Sequence, residues 1–171
     1  MKLEAVLRNP YCAVLGEGPF WDADLQKLWW IDGLSEFGRG DDLHLFDPAT
    51  GNDRAWHIGK HLGCALPLGD GRVMLALQDG IYLFAPETET MTRISDLEIE
   101  ILNNRLNDGK CDSKGRLWLG SMSMTANQPD REFEVTGSFY RFAEGKPDKQ
   151  FEGQASTCST SVLWIRWQPY T

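Results

Sequence analysis

The sequence predicts an all-β chain, and a spaced repeat with turn signals between its copies carries that prediction. The repeat centres on Lys27-Leu28-Trp29-Trp30, Arg72-Val73-Met74-Leu75 and Arg116-Leu117-Trp118-Leu119, spaced by 45 and then 44 residues. A turn signal stands upstream of each copy: Asp22-Ala23-Asp24, Gly69-Asp70-Gly71 and Asp112-Ser113-Lys114-Gly115. Short strands repeating every ~40–50 residues with turn residues between them are the signature of a β-propeller blade. Closed propellers need roughly four to eight blades, because an open fan leaves strand edges exposed. Three such units fill nearly all of the 171 residues. The expectation is therefore about three blades of four-stranded antiparallel sheet, part of a larger ring and apparently truncated.

The first unit supplies strands around Leu15–Trp21, Lys27–Asp32, Asp42–Pro48 and Arg54–Ile58. Leu43, Leu45 and Asp47 alternate with His44 and Phe46, which fits a strand packed on both faces. Asp47-Pro48-Ala49-Thr50-Gly51 is a turn, since proline presets φ and glycine accepts the left-handed region. The second unit repeats the plan with Gly63–Leu68, Arg72–Leu77, Gly80–Pro86 and Met91–Ile94. Its Ile81-Tyr82-Leu83-Phe84-Ala85-Pro86 aligns with Leu43-His44-Leu45-Phe46-Asp47-Pro48. The third unit runs Asn107–Asp112, Arg116–Ser121 and Ser138–Phe142, with Lys149–Glu152 as a weak fourth strand. An extra polar stretch, Met122–Gly137, lies between its second and third strands, where a loop would overlie one end of the ring.

The repeat covers residues 1–153 and then breaks. Residues 154–171 carry one formal charge, Arg166, and no Asp-Gly turn. That tail is either a strand capping the open edge or the product of a premature stop or shifted frame that replaced a fourth blade. Repeat arrays usually cap with polar residues, and this tail is apolar.

Bulk properties narrow the function. A net charge of −8 removes the basic face that a nucleic-acid binder needs. No run approaches the ~18–20 apolar residues of a membrane span. The N-terminal stretch is interrupted by charges and lacks a signal-peptide core, so the expected location is cytoplasmic. Cys12, Cys64, Cys111 and Cys158 are isolated, which argues against a zinc-thiolate site and a disulfide framework. They read as small buried hydrophobes.

In a propeller the innermost strand of each blade lines the central channel, so residues there converge from different blades. Three segments take that position: Leu15–Trp21, Leu62–Ala65 and Asn104–Lys110. The first sets Glu17 between two glycines, where the backbone can turn the carboxylate inward. The third groups Arg105, Asn107 and Asp108, with Asp108-Gly109 read as the turn that presents Asn107. An acid and amide oxygens in a polar channel suit a hard divalent cation. Each signal alone also reads as a solvated acid, a common turn or a surface charge.

Two stretches carry a specific resemblance. Leu15-Gly16-Glu17-Gly18-Pro19-Phe20-Trp21-Asp22 with Leu28-Trp29-Trp30-Ile31-Asp32 resembles the opening of the regucalcin/gluconolactonase (senescence marker protein, luciferin-regenerating-enzyme-like) family. Asn104–Asp112 followed by Gly115–Met122 resembles that family's central motif. The resemblance spans about residues 10–153 and implies the N-terminal half of a six-bladed propeller. It implies hydrolysis of a sugar lactone with one divalent ion (Ca, Zn, Mg or Mn), Glu17 as a metal ligand, and Arg105 and Asn107 as substrate-binding residues. It places two further ligands, an asparagine and an aspartate that also acts as general base, in blades beyond this chain, so no catalytic base is assigned here. An acid that the animal member carries after Gly-Thr-Met is absent from Ser123-Met124-Thr125. Alternatives are a calcium- or metal-binding propeller without turnover, and a non-functional truncation. The open blade edges also allow self-association.

Overall fold

The computed structural model of the chain describes residues 4, 6–36, 38–127 and 135–154. Among these, β1 (Gly16–Asp22), β2 (Lys27–Asp32), β3 (Asp42–Phe46) and β4 (Asp53–His57) form one antiparallel sheet in chain order. β5 (Leu62–Pro67), β6 (Val73–Leu77), β7 (Gly80–Ala85) and β8 (Thr90–Ser95) form a second. β9 (Asn104–Cys111), β10 (Leu117–Ser123), β11 (Gly137–Ala143) and β12 (Lys146–Gln154) form a third. The three expected blades are therefore present. A 3-10 turn over Met124–Asn127 follows β10, and no helix of the described residues is long and apolar enough to cross a membrane.

The turn aspartates do more than allow chain reversal. Asp22 accepts the Asp24 and Leu25 amides, and its other oxygen accepts Trp29 Nε1 at 3.2 Å. Asp112 repeats this with the Lys114 and Arg116 amides, Arg116 Nε at 2.7 Å and Trp118 Nε1 at 2.9 Å. One carboxylate thus closes the hairpin and fixes the indole on the next strand. The second blade has no tryptophan there, and Asp70 holds Arg72 instead, through its amide, Nε and Nη2.

Strand alternation feeds two cores. On β6, Val73, Leu75 and Leu77 face the first blade, where they pack with Trp29, Ile31, Leu43 and Trp56. Ala76 and partly buried Met74 face the third blade and pack with Leu106, Leu117, Leu119 and Phe142. Each fully buried Leu or Ile contributes about 1.5–3 kcal/mol. The middle sheet is consequently apolar on both faces, as an interior blade must be.

At Gly33, which follows β2, and at Gly63 of β5 the neighbouring backbone comes so close that only glycine fits, and Gly109 of β9 is tightly enclosed by side chains. A Cβ on Gly33 would lie 2.7 Å from Leu62 O, and one on Gly63 would lie 2.4 Å from the carbonyl oxygens of Leu106 and Asn107. A Cβ on Gly109 would meet Cys64 Sγ and Leu119 Cβ at 3.0 Å. Leu62 N donates to Gly33 O at 3.1 Å, which ties the first blade to the second.

Four expectations are corrected. β9 begins at Asn104, three residues before the predicted Asn107, because Asn104 and Arg105 pair with Ser123 and Met122 of β10 and their buried polar groups find partners in Glu98, Thr136 and Asn107. Asn107-Asp108-Gly109 is not a turn: it lies inside β9, whose pairing with β10 shifts register between Leu119 and Ser121. The fourth strand of the third blade is the nine-residue β12, longer than the weak Lys149–Glu152 expected. Of the cysteines read as buried, Cys64 is, Cys111 is partly buried and Cys12 is exposed. Cys158 and the atypical tail, apart from Gln154, lie outside the described residues.

Two outcomes follow from this packing. Gly63→Ala forces β5 away from the β9 backbone and lowers unfolding free energy by about 3 kcal/mol. Gly51→Ala, in open space at φ +77°, costs about 1 kcal/mol; urea unfolding compares them. Burial alone would raise the Asp112 carboxyl, but the Trp118, Arg116 and backbone donors outweigh it and hold the group well below the usual range. Its stabilisation is fully present above the ordinary carboxylate pKa of about 4 and fades as pH falls below it. Asp112→Asn should therefore cost about 1–2 kcal/mol at pH 7, with the deficit shrinking below about pH 4.

Candidate functional site

β1, β5 and β9, the first strand of each sheet, lie side by side. Between them runs a groove of about 460 Å³ whose wall includes Glu17, Phe20, Cys64, Leu66, Asp108 and Lys110. The channel wall expected from the repeat is thus formed by these three strands.

Glu17 reaches the groove because β1 is irregular. Its pairing with β2 breaks between Glu17 and Phe20, and Gly18 at φ +56° makes the kink, a conformation that costs glycine little. Bulges of this kind re-aim neighbouring side chains.

Arg105 and Asn107 are two residues apart on β9 and so share a face. Arg105 is 5% exposed, against the usual surface position of arginine. Its Nη1 donates to Asn107 Oδ1 at 2.8 Å and to Leu106 O at 3.3 Å. Burial lowers the guanidinium's pKa, and the negative charge of Glu17 pushes it back up. The structure therefore brings all three sequence-identified residues into one electrostatic neighbourhood. Glu17 also lines the groove, whereas the part of β9 on the groove wall is Asp108–Cys111, beyond Asn107.

The sequence reading put Asp108 and Lys110 on a channel-lining segment but gave Asp108 to a turn and Lys110 no role; both line the groove. Asn-Asp-Gly is strong turn chemistry, and only the register shift in β9 shows that it stays in the sheet. Met124, in the Ser123-Met124-Thr125 stretch, opens the 3-10 turn and donates its amide to Asn103 O at 2.7 Å. Beside it, Ser123 Oγ and Thr125 Oγ1 bond to one another at 2.7 Å.

One candidate chemistry falls away. Burial, with smaller pushes from Asp108 and Cys111, drives the Cys64 thiol up to about 12. Burial likewise raises Cys111, so neither is a thiolate nucleophile at neutral pH. Among the described residues, no group of three His, Cys, Asp or Glu side chains could hold a metal ion. Glu17 is one potential ligand without a complete set, so the described residues do not by themselves fit a divalent ion.

Comparison with known proteins places this arrangement. The family model described as "SMP-30/Gluconolactonase/LRE-like region" matches residues 15–166. The chain is 35% identical over 120 residues to the 6-deoxy-6-sulfogluconolactonase of Pseudomonas putida, covering 70% of this chain and 39% of that protein. It is 33% identical over 129 residues to the L-arabinolactonase of Azospirillum brasilense, covering 74% and 39%. The crystal structure of regucalcin from Agrobacterium tumefaciens, described as a calcium-binding protein, superposes with a TM-score of 0.75 at 28% identity, covering 85% of this chain and 46% of that one. The chain spans two fifths to about half the length of these relatives. With three propeller blades, the inner-strand arrangement and the matching family model all in agreement, the chain belongs to the SMP-30/gluconolactonase/LRE-like family.

Proposed function

We propose that the chain carries the N-terminal half of a sugar-lactone hydrolase site, in which Glu17 supplies one ligand to a divalent ion and Arg105 and Asn107 hold substrate oxygens. The observation that carries this reading is the buried Arg105, bonded to Asn107 and within the field of the Glu17 charge. Structural economy does not account for it, since a buried cation costs several kcal/mol in desolvation. A guanidinium offers parallel donors matched to hydroxyl and carboxylate oxygens. The lactonase names of the relatives point to the same substrate class.

In lactone hydrolysis, water oxygen adds to the carbonyl carbon, the bond to the ring oxygen breaks, and the ring oxygen gains a proton. A divalent ion, with Glu17 as one of its ligands, would supply Lewis acidity. Within this chain, Arg105 orients the substrate and compensates negative charge that develops on oxygen. Asn107, fixed by Arg105, holds a second oxygen. No general base is assigned among the described residues. The free thiols of Cys12, Cys64 and Cys111 suit a reducing compartment such as the cytoplasm.

A second reading, calcium binding without turnover, draws on the description of the Agrobacterium relative and on Glu17 and Asp108 sharing the groove wall. Release of acid from D-glucono- and L-arabinono-lactone, with Ca²⁺, Zn²⁺, Mg²⁺ or Mn²⁺ added in turn, separates the two. Metal-dependent hydrolysis above the spontaneous rate supports the lactonase. Calcium binding by calorimetry with hydrolysis at background supports the second reading.

Two variants sharpen the assignment. Glu17→Gln should remove at least about tenfold in metal affinity or activity while changing stability by less than about 1 kcal/mol, measured by calorimetry and urea unfolding. Arg105→Met should leave stability within about 1 kcal/mol of wild type or raise it, while raising KM by about tenfold or more. A large stability loss in Arg105→Met would mark the arginine as structural.

A further inference from the structure

Glu98 lies in the connection between β8 and β9, outside every motif, at φ +61°, a region that non-glycine residues seldom occupy. Its carboxylate gathers three donors from three strands. Oε2 accepts Asn104 Nδ2 of β9 at 3.0 Å. Oε1 accepts Ser121 Oγ of β10 and Tyr140 OH of β11, each at 2.7 Å. All three donor residues are buried.

The bonding extends to the other connection of the blade. Ser121 Oγ accepts the Ser138 amide at 2.8 Å. Asn104 Oδ1 accepts the Thr136 hydroxyl at 2.5 Å, and Asn104 Nδ2 donates to Thr136 O at 3.1 Å. Thr136 closes the β10–β11 connection whose first turn, Met124–Asn127, is held through Met124 N and Asn103 O. Arg105 sits directly after Asn104 and pairs with Met122 of β10. The residue that binds Glu98 is therefore the backbone neighbour of the buried arginine.

We propose that Glu98 is a positioning residue, whose carboxylate fastens the β8–β9 connection to β10 and β11 and thereby sets the place of Arg105 and of the turn at Met124. A carboxylate suits the task because it accepts on both oxygens and offers no competing donor, and charge-assisted bonds of this kind are short and strong. Burial first, then the bond to Glu98, raises the Tyr140 hydroxyl well above its ordinary value, which keeps it a donor. The unfavoured backbone at Glu98 persists because three bonds over-determine it. The positioning role rests on the reading of Arg105 as a substrate-binding residue.

The test uses Glu98→Gly, which removes the carboxylate and is favoured by the backbone at that position. The Arg105 Nε–Hε resonance and amide hydrogen exchange are measured in the full chain. The expected result is a shifted or broadened Arg105 signal, with Met124 and Ser138 amides exchanging about tenfold faster or more. Leu75 of the middle blade should stay unchanged, and added formate should restore the Arg105 signal where chloride does not. Tyr140→Phe, which removes one donor, should move the same signal less. An unmoved Arg105 signal overturns the proposal, as does uniform acceleration that includes Leu75, since that marks only general stability. Titration with D-gluconate separates the two levels. A wild-type Arg105 signal unmoved by gluconate sinks the substrate reading, while its response to Glu98→Gly still decides whether Glu98 sets its position.

Discussion

The close approach of backbone at Gly33, which follows β2, and at Gly63 of β5 is the constraint on which the rest depends. At Gly63 a single methyl would stand 2.4 Å from two carbonyl oxygens of β9, so β5 and β9 are in backbone contact there. That contact fixes the height of Leu106 and Asn107 against the second blade, and with them Arg105. The larger aliphatic residues fill the space further out, where the sheets diverge and alternate residues of β6 serve two cores.

On that scaffold the charges are arranged at a cost to stability. Burial works against the Arg105 guanidinium, and its compensation comes from Asn107, the Leu106 carbonyl and the field of Glu17. A sequence selected for stability alone would place an apolar residue here, as at Leu66, which also occupies an inner strand. The contrast with the Asp112 turn is instructive. There the charge is satisfied by local donors within six residues and stabilises the hairpin.

The blades were legible in the sequence because each is a local sheet. Its turn aspartate, hydrophobic alternation and period lie within about 45 residues of one another. Glu17, Arg105 and Asn107 could be assigned to inner strands from their motifs and their common place in the repeat, and they lie on β1 and β9. Asp108 was misread because Asn-Asp-Gly has the composition of a turn, and only the partner strand reveals the register shift. The start of β9 was set too late because Asn104 and Arg105 are polar, while their burial depends on distant partners. Glu98 was invisible for a related reason: Tyr140 is 42 residues away, and no local pattern encodes that bond.

The central claim is that the charge of Glu17 on β1 acts on Arg105 of β9 in solution. A double-mutant cycle of Glu17→Gln and Arg105→Met, read in urea unfolding at low ionic strength, tests it most directly. The account expects a coupling of about 1 kcal/mol that diminishes as salt is added. Strict additivity, within about 0.3 kcal/mol, would contradict it, leaving Glu17 as a solvated acid on a turn and Arg105 as a buried charge without that counterpart.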